Sequence, residues 1–327
     1  MAIKTNIEAL RDAMASAMRR DPSVIITGED VGPRGGVFRA TEGFYAEFGP
    51  ARVIDSPLSE LSIVGVGIGM ALNGLHPICE IQFADFIHPA FNQIANEAAK
   101  LRYRSNGQYC VPMIIRAPWG GGISGGLYHS QSIEATFAHI PGLYVLAPST
   151  PFDTKGLFLA AVQAEDPVLF LEHKKAYRLV KGEVPDEDYT VPIGVADVKR
   201  AGDDLTIIAY GMMLHETLQA AEALAREGIS AEVVDPRTLA PLDRGTILDS
   251  VKKTGKVLIV HEDNLTGGLG GEIAAIIAQE AFVYLDAPIT RLGGPDVPAM
   301  PFSHPLQDYF LPNAAKITAA ARRLAAY

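Results

Sequence analysis

Short runs of apolar and β-branched residues alternate along the chain with longer stretches whose apolar positions recur three and four residues apart. VIIT (24–27), RVID (52–55), PICEIQF (77–83), PMIIR (112–116), LYVLA (143–147) and PVLFLE (167–172) predict buried strands. Helical spacing lies at 6–20, 59–73, 88–104, 131–139 and 151–164. Strands that are apolar throughout, rather than alternating, mark a parallel sheet covered on both faces by helices. The pattern breaks after Glu172, where residues 173–203 are polar and charged and carry Pro185 and Pro192. A second alternation follows, with strands predicted at 206–210, 231–235, 256–260 and 288–292 and helices at 212–227, 243–253, 270–281 and 313–325. The division expected is a parallel-sheet domain over 1–175, a linker over 176–203 and a smaller α/β domain over 204–327.

In such sheets ligands collect beyond the carboxyl ends of the strands. VIIT runs into Gly28-Glu29-Asp30, and RVID into Ser56-Pro57-Leu58-Ser59-Glu60. The third strand leads through Gln82 to Ala84-Asp85-Phe86, and the fourth into the glycine-rich APWGGGISGGLYHSQS. The first domain is therefore expected to gather Glu29, Glu60, Gln82, Phe86 and His129 at one rim. The second gathers Asp235, His261, Glu262 and Asp263.

Composition narrows the function. The 327 residues are 48% hydrophobic and 20% charged, enough apolar side chain for a large interior. A net charge of −10 argues against nucleic acid as the main partner, because phosphate binding needs clustered Lys and Arg. Of the two cysteines, Cys79 stands in an apolar run and reads as a buried hydrophobe, and neither has zinc-ligand or redox-pair spacing. No secretory leader, Arg-rich presequence or apolar run of membrane-spanning length is visible, so a cytoplasmic prokaryotic protein is expected, or a mitochondrial matrix one if processed.

Residues 56–74, SPLSELSIVGVGIGMALNG, place Glu60 ahead of an uncharged helix containing Gly65, Gly67 and Gly69. Three helical glycines cost about 3 kcal/mol against alanine, so something needs the room they leave. The dinucleotide fingerprint fails, since Met70 stands where its last glycine belongs, and no phosphate-binding GxxxxGK[ST] loop occurs. Gly122-Ile-Ser124-Gly-Gly126 matches the G-x-S-x-G of hydrolases, but five residues separate it from the strand, and a glycine loop lining a cavity fits better. His129 reads either as a loop histidine bonded to backbone or as a proton carrier at neutral pH. Glu60 reads either as an acid complementing a helix start capped by Ser59, or as a carboxylate that needs a ligand with a basic nitrogen.

The segments GGVFRATEGF, DSPLSE, EIQFADFIHPAFNQIANEAAKLRYRS, PWGGG, LYHSQSIEA and PSTPFDTKGL, then VVDPRTLAPLD and HEDNLTGGLGGEI, stand in that order. Together they resemble the beta subunit of the thiamine-diphosphate-dependent 2-oxo acid dehydrogenases. EIQFADF and LYHSQS are most similar to the branched-chain 2-oxo acid enzymes. The resemblance implies a transketolase-like α/β fold, with a pyrimidine-binding domain followed by a transketolase C-terminal domain. It implies an alpha2 beta2 heterotetramer whose alpha subunit holds Mg2+ and the diphosphate, no magnesium site in this chain, and a lipoyl-bearing acyltransferase core as further partner. The implied reaction is decarboxylation of a 2-oxo acid on thiamine diphosphate and transfer of the acyl group to lipoamide.

By the same resemblance Glu60 matches the glutamate that hydrogen-bonds the aminopyrimidine N1′, which favours the imino tautomer that deprotonates the thiazolium carbon. Phe86 matches the aromatic ring against the pyrimidine, and is phenylalanine where branched-chain enzymes can carry tyrosine. Leu58 and Gln82 match cofactor-pocket positions. His129 matches the histidine implicated in passing the acyl group to lipoamide. Met113, Ala161, Ala164 and Asp166 match a potassium site built mainly of backbone carbonyls. A pyruvate or acetoin dehydrogenase beta subunit, a non-catalytic structural subunit and a hydrolase acting through Ser124 are the alternatives.

Overall fold

Thr5 starts the first helix by a reciprocal cap: its hydroxyl accepts the Glu8 amide, and the Glu8 carboxylate accepts the Thr5 amide at 2.8 Å. In the computed structural model, which describes residues 1–327, this cap separates β1 (Ala2–Thr5) from α1 (Asn6–Arg20). The chain continues through β2 (Val24–Gly28), α2 (Phe44–Phe48), β3 (Val53–Asp55), α3 (Glu60–Leu72), β4 (His76–Glu80), α4 (Leu101–Arg104), β5 (Ile114–Trp119) and α5 (Glu134–Ala138). β6 (Tyr144–Leu146), α6 (Pro151–Val162), β7 (Val168–His173), α7 (Ala176–Leu179) and β8 (Lys181–Val184) complete the first half.

Residues Met1–Trp119 and Thr136–Ile193 form one compact unit. Its strands run β6-β7-β5-β4-β2-β3, every neighbouring pair parallel. All residues of β2, β5 and β7 are buried, as strands covered on both faces must be. The segment expected as a linker carries more order than its composition implies. α7 and β8 lie within it, and β8 pairs antiparallel with β1, Lys181 opposite Thr5.

The helix expected over 88–104 is instead a chain of short turns. The Ala98 amide reaches back to Gln93 and Ile94, so residues Gln93–Glu97 form a π turn between two 3-10 turns, and α4 is one α-helical turn. The residues are ordinary helix formers, and nothing in their spacing marks the extra residue in the turn.

Gly120–Ala135 and Gly194–Tyr327 form the second unit. It contains β9 (Asp197–Arg200), β10 (Leu205–Ala209), α8 (Met212–Arg226), β11 (Ala231–Asp235), the short β12 (Thr238–Ala240), α9 (Arg244–Thr254), β13 (Val257–Asn264), α10 (Leu269–Glu280), β14 (Thr290–Gly294), α11 (His304–Phe310) and α12 (Ala314–Ala325). The order is β14-β13-β10-β11-β9, parallel except for the antiparallel edge strand β9. No helix is long and apolar enough to cross a membrane.

Candidate active site

Glu60 opens α3 as its first helical residue. Ser59 caps the helix, its Oγ accepting the Ser62 amide at 3.4 Å, so an acid stands where the positive end of the helix dipole favours one. The Glu60 carboxylate forms no hydrogen bond or ion pair with the rest of the chain. It faces Glu29, whose carboxyl is pushed above the ordinary range by burial, then by the charges of Asp30 and Glu60. The Gln82 amide donates to the Glu29 carbonyl at 3.5 Å. Phe86 ends the 3-10 turn Ala84–Phe86, its ring edge-on to Phe83 at 5.8 Å between centroids. Leu58 projects from the loop before Glu60, 72% exposed. The first unit thus assembles Glu29, Glu60 and Gln82 at the carboxyl ends of β2, β3 and β4, with Phe86 and Leu58 on the same loops.

Beneath this rim lies a buried ionic network that sequence reasoning missed. Arg116 of β5, fully buried, donates through Nε and Nη2 to Glu172 of β7 at 2.6 and 2.7 Å and through Nη1 to Glu80 of β4. Tyr177 of α7 also donates to Glu172. Burial opposes the Arg116 charge, but the two carboxylates override it and keep the guanidinium protonated. Burial pushes the Glu80 carboxyl up, Arg116 pulls it down, and Glu172 pushes it up further. Glu80 pairs in register with Gly28, one residue before Glu29, so the network fixes the strand ends from which the rim residues project. The available signal was a charge in each of three apolar strands, PICE, MIIR and LFLE.

His129 is placed differently from the expectation. It ends the 3-10 turn Gly126–Tyr128 on the loop Gly120–Ala135, which belongs to the second unit, whereas the strand alternation put it with the first. Ser124 on this loop has φ +56°, and its Oγ lies 3.5 Å from Nδ1 of His304. That is the backbone shape of a nucleophile elbow without its setting: only a single 3-10 turn follows in place of an α-helix, and no carboxylate pairs with His304.

The two ends of the same loop are anchored. The Gly121 amide donates to Glu262 of β13 at 2.9 Å, and Tyr210, just beyond β10, donates its hydroxyl to Glu134 at 3.0 Å. Glu134 and Tyr210 are both buried and their second-unit setting is acidic, with Glu262 and Asp263 facing them. Asp235 is buried at the end of β11, where it accepts the Arg237 amide at 3.1 Å. Burial lowers the His261 pKa to about 4, so its imidazole is neutral at physiological pH. Burial likewise pushes the Cys79 thiol up to about 12, in keeping with a small buried hydrophobe.

The four positions expected to bind potassium all lie in the first unit. The Met113 carbonyl accepts the Val168 amide at 2.9 Å, and the Ala161 carbonyl, in the last turn of α6, accepts that of Ala164 at 3.2 Å. The Asp166 carboxylate is bound by Arg102 Nε at 2.6 Å. No cluster of His, Cys, Asp and Glu side chains could hold a metal ion.

Residues 4–180 match the transketolase pyrimidine-binding domain and residues 194–317 the transketolase C-terminal domain. The 2-oxoisovalerate dehydrogenase subunit beta of Bacillus subtilis (strain 168) is 57% identical over 327 residues, covering 100% of both chains. This chain belongs to the family of 2-oxo acid dehydrogenase beta subunits. Other beta subunits are further away: the pyruvate dehydrogenase E1 components of the same Bacillus subtilis strain and of Acholeplasma laidlawii are each 46% identical, covering 99% of both chains. A split-gene transketolase solved as an inactive beta4 tetramer superposes with a TM-score of 0.80 over 98% of each chain at 25% identity, which agrees with the transketolase-like fold.

Proposed function

We propose that this beta subunit, together with an alpha subunit, decarboxylates a branched-chain 2-oxo acid on thiamine diphosphate and passes the acyl group to lipoamide. The observation that carries the reading is Glu60, a carboxylate at a helix start with no partner in its own chain and a second acid, Glu29, facing it. Such a site fits a ligand that brings a basic nitrogen. Similarity to the 2-oxoisovalerate relative at 57%, against 46% to the pyruvate relatives, supports the branched-chain choice.

When bound, thiamine diphosphate supplies the electron sink for decarboxylation. Glu60 would bind its ring nitrogen and hold a proton there, and Phe86, Leu58 and Gln82 would line its pocket. His129 holds the proton needed as the acyl group passes to lipoamide. The Mg2+ and diphosphate belong to the alpha subunit of an alpha2 beta2 heterotetramer docked on a lipoyl-bearing acyltransferase core in the cytoplasm. The main-chain oxygens at Met113, Ala161, Ala164 and Asp166 would hold a potassium ion, which the negative end of α6 would favour.

The test is co-expression with a candidate alpha subunit and thiamine-diphosphate-dependent decarboxylation of a panel of 2-oxo acids. Glu60→Gln assembles but loses about a hundredfold or more in decarboxylation. Near-normal turnover by that variant removes Glu60 from the mechanism, and a preference for pyruvate replaces the branched-chain reading.

A further inference from the structure

The segment that carries His129 is held at both ends by residues of the second unit, one in β13 and one just beyond β10. At its start, the Gly121 amide donates to the Glu262 carboxylate of β13 at 2.9 Å. At its finish, the Glu134 carboxyl accepts the Tyr210 hydroxyl at 3.0 Å, a bond between residues 76 apart in sequence. Glu134 and Tyr210 are at most 1% exposed, and the second Glu134 oxygen, Oε2, is buried with no hydrogen-bond partner. A fully buried tyrosine–carboxyl pair is an expensive way to fill space, because an apolar pair of the same shape would avoid the desolvation.

We propose that Tyr210 and Glu134 are positioning residues which, with Glu262, clamp residues 120–134 and set where the loop presents His129. The proposal rests on the role given above to His129. The groups facing Glu134 are Tyr210, Glu262 and Asp263, with no cation among them. Burial, then the Asp263 charge, raises the Glu134 pKa well above its ordinary value, so the site favours the protonated carboxyl. Burial also pushes the neighbouring Asp263 up, to about 6. An ionised Glu134 would stand buried beside the carboxyl groups of Glu262 and Asp263 with no cation to offset its charge.

The experiment uses the enzyme reconstituted with its alpha subunit and follows two quantities across pH. One is the amide-exchange protection factor of residues 120–131. The other is the ratio of lipoamide acylation to decarboxylation measured with an artificial electron acceptor. Protection in the wild type falls as rising pH ionises Glu134. Tyr210→Phe loses protection already at neutral pH and loses about tenfold in acylation, with decarboxylation within about twofold of normal. Glu134→Gln, which keeps the acceptor and cannot ionise, holds protection and acylation level across pH.

Unchanged protection and acylation in Tyr210→Phe overturn the proposal. So does an equal loss of both half-reactions, and so does a Glu134→Gln loop that is open at every pH. A His129→Ala control separates the two claims. Normal acylation by that variant refutes the role of His129, while the protection factors still decide the clamp.

Discussion

Gly67 of α3 lies so close to Cys79 of β4 that a methyl group added to it would stand 2.5 Å from the Cys79 sulfur. The next atom it would meet is Cε of Met113, at 3.0 Å. Of the three glycines in this helix, Gly67 is the one that its own chain requires, because it brings the helix axis down onto the sheet. Gly67→Ala therefore costs about 1–3 kcal/mol by overpacking. Trimming the neighbour, as Gly67→Ala with Cys79→Ala, recovers most of the loss. Urea unfolding of the two variants measures this, and a single variant as stable as the parent sinks the packing argument.

The Arg116 network makes an ordering prediction. One guanidinium serves two carboxyl groups, so with both ionised the buried cluster would carry one negative charge in excess. Glu172→Gln removes the two-pronged partner of Arg116 and the acceptor of Tyr177, and costs about 3 kcal/mol or more. Glu80→Gln leaves that pair intact and removes the excess charge, so it costs less. The sign with pH follows from the raised Glu80 pKa: the folded state holds this proton above the unfolded range, so this contribution to stability falls as pH rises out of that range. Glu80→Gln flattens that part of the profile. Equal costs for the two variants, measured by chemical denaturation at two pH values, would contradict the arrangement.

How much of this was legible before the structure depends on whether the cause was local. α1, α8 and α12 announce themselves through amphipathic spacing, with caps at Thr5 and Asn313 for the first and last. The buried strands do so through β-branched runs. Glu60, Gln82 and Phe86 follow from one further rule, that loops at the carboxyl ends of parallel strands share a rim. Pairs such as Tyr210 with Glu134, or β1 with β8, join residues far apart and have no local mark. The assignment of residues 120–135 to the second unit is of the same kind. The π turn at Gln93–Glu97 is a local feature, yet its residues suit an ordinary helix equally well.

The His261 ring crowds three glycines, Gly268 and Gly270 of the GGLGG run and Gly293 of β14. A methyl group at Gly268 would stand 2.7 Å from Cε1 of its ring, one at Gly270 2.6 Å from Nε2, and one at Gly293 3.0 Å from Cε1. Neither ring nitrogen has a hydrogen-bond partner. Burial lowers the pKa to about 4, with Arg291 adding to the effect and the Asp263 backbone opposing it. The unfolded chain therefore binds a proton that the folded chain refuses, and stability present above about pH 6.5 is lost as pH falls towards 4. The loss is at most about 3 kcal/mol. His261→Leu removes this part of the acid sensitivity, whatever it does to stability at neutral pH. An unchanged slope of unfolding midpoint between pH 7 and 4.5 would show that His261 does not carry it.

Gly69 differs from Gly67 in having no atom within 4 Å of where its side chain would begin, and Gly65 meets only Cγ of Gln93, at 3.7 Å. On the same helix Leu61, Val66 and Leu72 are exposed, between 41% and 54%. Within its own chain, then, α3 has a bare face of small and apolar residues, and Gly69 only weakens the helix there. A leucine at Gly69 would strengthen α3 in the isolated chain by about 1 kcal/mol. A residue that is unfavourable in the free chain and easily replaced has a reason outside it. A partner subunit packing on this face would be such a reason, with Gly69 letting its backbone come near. Gly69→Leu should therefore raise the melting temperature of the isolated chain and lower the fraction that co-elutes with the alpha subunit. Gly69→Ala should do both to a smaller degree. If both variants assemble as well as the parent in analytical ultracentrifugation, the bare face of α3 is not where the subunits meet.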